Sequence, residues 1–402
     1  MRIVEIETVF VEAYPNLLWV HLKTDEGLTG LGETYFGAKA VEAHIHEYIA
    51  PYLLGKNALE IESHARKMTG YTGRGGSGAE MRATSAVDIA LWDLWGKHAG
   101  QPIYQMLGGA CRDKVRVYNT CAGYDYVRNA SAQVTANFGI DADKSRTGPY
   151  DDLQGFLNIA DELAASLLEM GITGMKIWPF DFAAEASGGN EISTEDLKTA
   201  MKPFDKIRKA VGDRMDIMCE LHSLWNVPAA KRICQALEEF DLAWIEDPVR
   251  MDHRENIGDV ASDTLAPIAT GEILGGQAQF RDLIESADIS LVIMDVVWGG
   301  GLTEARKVAS YCDAHALPFT CHDCTGPVAL TASTHMALHA PNTYIQEMVR
   351  AFYHGWYQEM VTFLPPVDNG YISPPPGAGL GLALNPEVLK RPDAGIRNSK
   401  LD

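Results

Sequence analysis

The chain has 402 residues, long enough for one large domain and a smaller one or for a single domain with elaborations, and 46% of them are apolar and 22% charged, the balance of a water-soluble globular protein. Its net charge of −20 disfavours nucleic acid and anionic membranes as partners, and any anionic ligand would have to be held locally, by a metal or a few cationic side chains. No apolar run approaches the roughly 18 residues of a membrane span, no basic-then-apolar leader opens the chain, and the seven cysteines make an odd count, so a cytoplasmic protein without a disulfide framework is expected.

The first elements form a meander. IVEIETVFVEAY and LLWVHLKT read as strands before the turn DEG, and LTGLGE returns after it. From about residue 38 the pattern becomes helical. In ATSAVDIALWDLWGKHAGQ, residues Ala86, Ile89, Ala90 and Leu94 fall on one stripe, and Gly100 suits a C-terminal cap. Residues 1–112 are thus read as a small α+β domain. From 113 to 365 strands alternate with helices: VRVYNTC, GMKIW, RMDIMCELH, LAWIEDP, APIATGE, ISLVIMD, PFTCHD and TYIQEMV are the strands. Eight short apolar strands with helical separators over about 250 residues point to an α/β fold, a closed TIM-like barrel. The Pro/Gly-rich tail, 366–402, is expected to return to the first domain. Residues 124–150 and 179–192 read as inserts on the face of the barrel that carries chemistry.

The last polar residue of each barrel strand repeats. Glu220, Glu246 and Glu272 are each 26 positions apart, and Asp295, His322 and Glu347 follow at 23, 27 and 25. Each step is one strand–helix unit, so these side chains share a phase and converge on the C-terminal mouth, with Lys176 closing the second strand. Three charged carboxylates cannot share a half-buried mouth without compensation. A hard divalent cation resolves this, and all-oxygen ligation favours Mg2+ over Zn2+. The bland alternative is three carboxylates that cap helices or pair with surface lysines. Asp295 beside His322 is the arrangement of an oriented general base, against the reading of a histidine satisfied in the wall.

His222 lies two positions after Glu220, and in a strand both would face one space. It could be a fourth ligand, an acid/base group or lining, and acid/base is preferred because the carboxylates already make an oxygen site. Lys176 can hold a substrate carboxylate or stabilise an enolate, and it can also pair with the glutamates. Trp178 points inward with it and is wall or substrate contact. CHDC (321–324) lacks the second cysteine pair of a zinc site, and a thiol function is not expected. The glycines of VVWGGGLT fit no phosphate-loop spacing and are read as letting a loop approach the ligand.

These residues resemble the enolase superfamily, in its mandelate racemase-like branch, over nearly the whole chain. The likeness rests on ALWDLWGKHAGQPIYQMLGG (90–109) and on the strand ends MCELH, WIEDP, ATGE, IMD and TCHD, in order and spacing. It implies a (β/α)7β barrel under an α+β capping domain, Mg2+ on Glu220, Glu246 and Glu272, an Asp295–His322 dyad as base, and Glu347 near the substrate carboxylate. Members share removal of the proton alpha to a carboxylate, with the enediolate stabilised by the cation. The racemase pattern Lys-x-Lys is absent, since Lys176 is followed by Trp178. Glu220-x-His222 is instead similar to the acid-sugar dehydratases of this branch, although a Glu stands where the first ligand is commonly Asp.

The resemblance therefore implies a hydro-lyase acting on an aldonate or aldarate, with Tyr14, Arg74, Trp178 and Trp298 around the sugar. A homo-oligomer is expected, as a general prior for such barrels. The alternatives are an epimerase, racemase or lactone cycloisomerase on the same site, and a non-catalytic sugar-acid binding protein.

Overall fold

Alternating apolar residues in the first 35 positions build β1 (Ile3–Val11), β2 (Leu17–Thr24) and β3 (Thr29–Tyr35), an antiparallel meander. The computed structural model describes residues 1–70, 78–126 and 147–401. Helix Ala79–Ala99 lies directly on β3, and the contact is between backbones. A Cβ on Gly32 would meet the carbonyl oxygen of Ala86 at 1.8 Å, and one on Gly30 that of Ala90 at 2.1 Å. The glycines of LTGLGE thus let helix and sheet approach closely.

The stretch 90–109 is not one helix. Gly100 adopts φ 65° and ends the first, and a short helix, Ile103–Leu107, follows Pro102.

Eight parallel strands follow: β4 (Val115–Thr120), β5 (Gly174–Ile177), β6 (Asp216–Glu220), β7 (Trp244–Glu246), β8 (Ile268–Thr270), β9 (Leu291–Met294), β10 (Phe319–Cys321) and β11 (Gln346–Met348). They pair in sequence from β4 to β10, and β11 pairs with β4. On its other side β11 is joined to β10 by the Phe319–Thr343 bridge and by the Tyr344 amide donating to the Phe319 carbonyl (3.1 Å), which closes the barrel. Tyr118, Met218, Trp244, Ala269, Leu291, Ile293 and Ile345 fill the interior as a separate apolar cluster, so the barrel is a packed core and not a pore.

Beyond the barrel, β12 (Val367–Asp368) and β13 (Tyr371–Ile372) form a hairpin whose second strand pairs with β4. The terminal β14 (Ala394–Lys400) pairs antiparallel with β1. No helix among the described residues is long and apolar enough to cross a membrane.

The capping domain docks through buried carboxylates. Glu33 Oε1 accepts from the Val328 and Ala329 amides (3.1 and 2.9 Å), in the first turn of helix Pro327–His339. Asp88 accepts from the amide and hydroxyl of Thr303 (3.0 and 2.5 Å), in the first turn of helix Gly301–Ala314. Each meets orphan amides at a helix N-terminus. This revises the reading of VVWGGGLT. A Cβ on Gly301 would meet Asp88 Oδ2 at 2.3 Å, so that glycine accommodates the docking carboxylate rather than a ligand.

Candidate active site

Glu220 and Glu246 end β6 and β7, and Glu272 lies two residues past β8. One carboxylate oxygen from each lies within 4.8 Å of the others. Lys176, on β5 and 2% exposed, reaches into this group. Its Nζ is 2.7 Å from Glu246 Oε1, 2.8 Å from Glu347 Oε1 and 3.3 Å from Glu220 Oε2. Trp244 Nε1 donates to the second oxygen of Glu246 (2.9 Å). Glu347 is held by the Thr120 hydroxyl and by the Asp323 amide (2.9 Å), so both its oxygens are engaged within the protein.

The charges do not balance. Burial, with the neighbouring carboxylates adding to it, pushes Glu246 well above the usual carboxylate range, and burial raises Glu272 also. At Glu220 and Glu347 burial acts in the same sense and is the largest single influence, but Lys176 together with the neighbouring histidines and hydrogen bonds outweighs it, and both are lowered. Burial would lower Lys176; Glu246 and Glu347 reverse this and hold it firmly protonated. One lysine therefore leaves the group over-negative. Glu220 Oε2 is also buried without a hydrogen bond among the described residues. Three hard oxygen donors, one of them held only by the 3.3 Å ion pair with Lys176 among the described residues, fit a divalent cation.

His322 follows β10. Its Nδ1 is 2.8 Å from Asp295 Oδ2 and its Nε2 3.2 Å from Glu272 Oε2. The Val297 and Trp298 amides (2.7 and 3.0 Å) fix the other oxygen of Asp295. Burial opposes the charged imidazole, but Glu272, Glu347 and Asp295 raise its pKa well above the usual value.

His222 reaches the site by a different route from the one its spacing suggests. The strand ends at Glu220, so the alternation of strand side chains does not apply. His222 and Ser223 instead adopt left-handed conformations (φ 50° and 56°), and the His222 amide donates to Glu220 Oε1 (2.7 Å). Its Nδ1 is 2.8 Å from Oδ2 of Asp181, a residue that no spacing marked out, although it lies in the 179–192 insert. Despite burial, Asp181 and Glu220 raise His222 to about 9.

Trp178 packs edge-on to His222 with ring centroids 5.7 Å apart, and Trp298 lies 5.0 Å from His322. Arg82, on the capping-domain helix, stacks on Trp298 at 4.9 Å. Tyr14 is buried against Trp356, 5.0 Å between centroids, with Arg391 over its ring at 5.8 Å. Arg74 lies outside the described residues.

Two family descriptions match this chain. Residues 9–108 match the mandelate racemase / muconate lactonizing enzyme N-terminal domain, and residues 158–388 match the enolase C-terminal domain-like family. The chain belongs to the enolase superfamily, in its mandelate racemase/muconate lactonizing enzyme branch. Among solved structures of the superfamily, a mandelate racemase subgroup enolase from Agrobacterium tumefaciens, with a succinimide residue, sodium and phosphate, is 48% identical. It aligns over 100% of this chain and 99% of its own, with a TM-score of 0.88. An enolase protein from Sargasso Sea environmental sequencing is 43% identical over 100% of this chain and 99% of its own, also at 0.88. Curated relatives include a D-xylonate dehydratase of Haloferax volcanii, 29% identical over 97% of this chain and 88% of its own. A D-galactonate dehydratase of Xanthomonas oryzae is 27% identical over 97% and 94%.

Proposed function

We propose that this chain is a Mg2+-dependent dehydratase of a sugar acid, an aldonate or aldarate. The observation that carries the reading is a pair of imidazoles, His322 and His222, each on a buried carboxylate and both flanking one carboxylate cluster. The dehydratase relatives, aligned over nearly the whole chain, support the reaction class. Glu220, Glu246 and Glu272 would hold the cation, which supplies an electrophile for the substrate carboxylate and lowers the cost of charge arriving there.

His322, neutral once a cation on the glutamates offsets the negative charge that holds it protonated, and with its Nδ1–H held by Asp295, takes the C2 proton on Nε2. The electron pair of the broken C–H bond moves toward the carboxylate and returns to expel the 3-hydroxyl. His222 gives that oxygen a proton, so it leaves as water. The resulting enol becomes a 2-keto-3-deoxy acid as C3 gains a proton and the 2-hydroxyl loses one. Lys176 places a fixed positive charge beside the developing negative charge, and Glu347 positions Lys176. Trp178 and Trp298 wall the two imidazoles, and Tyr14 and Arg74 remain candidates for sugar contact from the capping domain.

Incubating the purified protein and Mg2+ with a library of aldonates and aldarates in D2O tests this. A 2-keto-3-deoxy acid from at least one member is expected. Deuterium at C2 of an unchanged or epimerised skeleton, with no keto acid from any member, would replace dehydration with isomerisation. Binding without turnover across the library would make this a sugar-acid binding protein.

A further inference from the structure

Asp181 opens the helix Asp181–Ser187 in the loop after β5, and its side chain is 4% exposed. Oδ2 meets His222 Nδ1 at 2.8 Å, while Oδ1 is buried with no hydrogen-bond partner among the described residues. A carboxylate taken out of water and only half satisfied is costly, and packing alone would be better served by an apolar side chain. The rest of the surroundings constrain the same imidazole. His222 and Ser223 are consecutive non-glycine residues with positive φ, a conformation that L side chains rarely adopt. Hydrogen bonds hold the turn there: the His222 amide on Glu220 Oε1 at 2.7 Å, and the Ser223 amide on the Asp247 carbonyl at 2.8 Å. Trp178 closes one side of the ring. Strained backbone, aromatic wall and buried carboxylate all set where the His222 ring points.

We propose that Asp181 is the positioning residue for the acid that protonates the leaving hydroxyl. A carboxylate only accepts, so it selects the Nδ1–H form of His222 and leaves Nε2 as the nitrogen that delivers its proton to the departing oxygen. The site then holds two dyads with separate tasks. Asp295–His322 breaks the C2–H bond, and Asp181–His222 completes loss of the 3-hydroxyl. This inference rests on the dehydratase reading and adds a residue to it.

The two dyads act on different branches from one intermediate. After C2–H cleavage the carbanionic species either regains a proton at C2 or expels the 3-hydroxyl. Weakening the second dyad slows only expulsion, so return to C2 gains. The experiment uses the Mg2+-loaded protein in D2O with a sugar acid that it dehydrates. Keto acid formation and deuterium at C2 of recovered substrate are both measured, for the parent chain, Asp181→Asn and Asp181→Glu. Asp181→Asn is expected to lower kcat for keto acid about 10²-fold with KM changed by less than roughly threefold. The ratio of C2 exchange to elimination should rise at least about tenfold, and Asp181→Glu should recover part of the loss. An unchanged ratio in Asp181→Asn would overturn the proposal, whether or not its activity falls, because a merely structural role lowers both branches together. Should Asp181→Asn not fold, Asp181→Ser carries the same expectation. A parent chain that exchanges C2 but forms no keto acid would instead overturn the dehydratase reading, and this inference with it.

Discussion

Lys176 is the residue on which the electrostatics of the mouth turn. It is the cation shared by Glu246, Glu347 and Glu220, and all four groups are buried. Removing one partner from a buried ion cluster costs roughly 3–5 kcal/mol, because the remaining charges lose their compensation. Lys176→Met should therefore lower urea-denaturation stability by about that amount in metal-stripped protein, and by distinctly less in Mg2+. A loss identical in both conditions would mean that the carboxylates do not share a cation site. His322→Asn, in contrast, should abolish keto acid formation and C2 exchange together, each by about 10²–10⁴-fold. Survival of exchange would remove His322 as the base. The ligand-type residues were legible in the sequence because the strand–helix repeat stamps a near-constant step on residues of equal phase. His222 was legible for an incomplete reason: its place depends on a left-handed turn, not on strand alternation. Asp181 and Thr120 were not legible, because their contacts with His222 and Glu347 join segments 41 and 227 residues apart.

At the scale of elements, the order of strands and helices was readable because apolar periodicity differs between the two, but their ends depended on single backbone positions. The run 90–109 keeps its apolar character throughout, and only Gly100 and Pro102 divide it. The glycines of LTGLGE carried a packing requirement that periodicity cannot express, since it depends on which helix lies on β3. Gly32→Ala would push a methyl into the Ala86 carbonyl and force helix Ala79–Ala99 off the sheet. A destabilisation of about 1–3 kcal/mol is expected in thermal denaturation, the usual cost of overpacking. An unchanged Tm would show that the close approach is not needed.

Across the whole molecule, capping domain, barrel and tail are joined by polar groups that are buried between them. His335, on helix Pro327–His339, accepts from the Tyr104 amide at Nδ1 (3.3 Å) and meets the Leu380 carbonyl of the tail at Nε2 (3.2 Å). That pairing requires the neutral ring, and burial lowers its pKa to about 4, with the Leu380 contact opposing. A histidine depressed in the folded state contributes stability above its ordinary value near 6.5, and this is lost as pH falls through the folded value. Stability should accordingly decline by up to roughly 3 kcal/mol between about pH 6.5 and pH 4, and His335→Gln should flatten that part of the profile. An equally steep decline in the variant would place the acid sensitivity elsewhere. The proposed reaction has one central requirement, a divalent cation among Glu220, Glu246 and Glu272 at the mouth of the closed barrel. Calorimetric titration of metal-stripped protein with Mg2+ tests it most directly. The account predicts one saturable site per chain, weakened or lost in each of Glu220→Gln, Glu246→Gln and Glu272→Gln. A site unaffected by all three substitutions, or no saturable site in the parent chain, would contradict it.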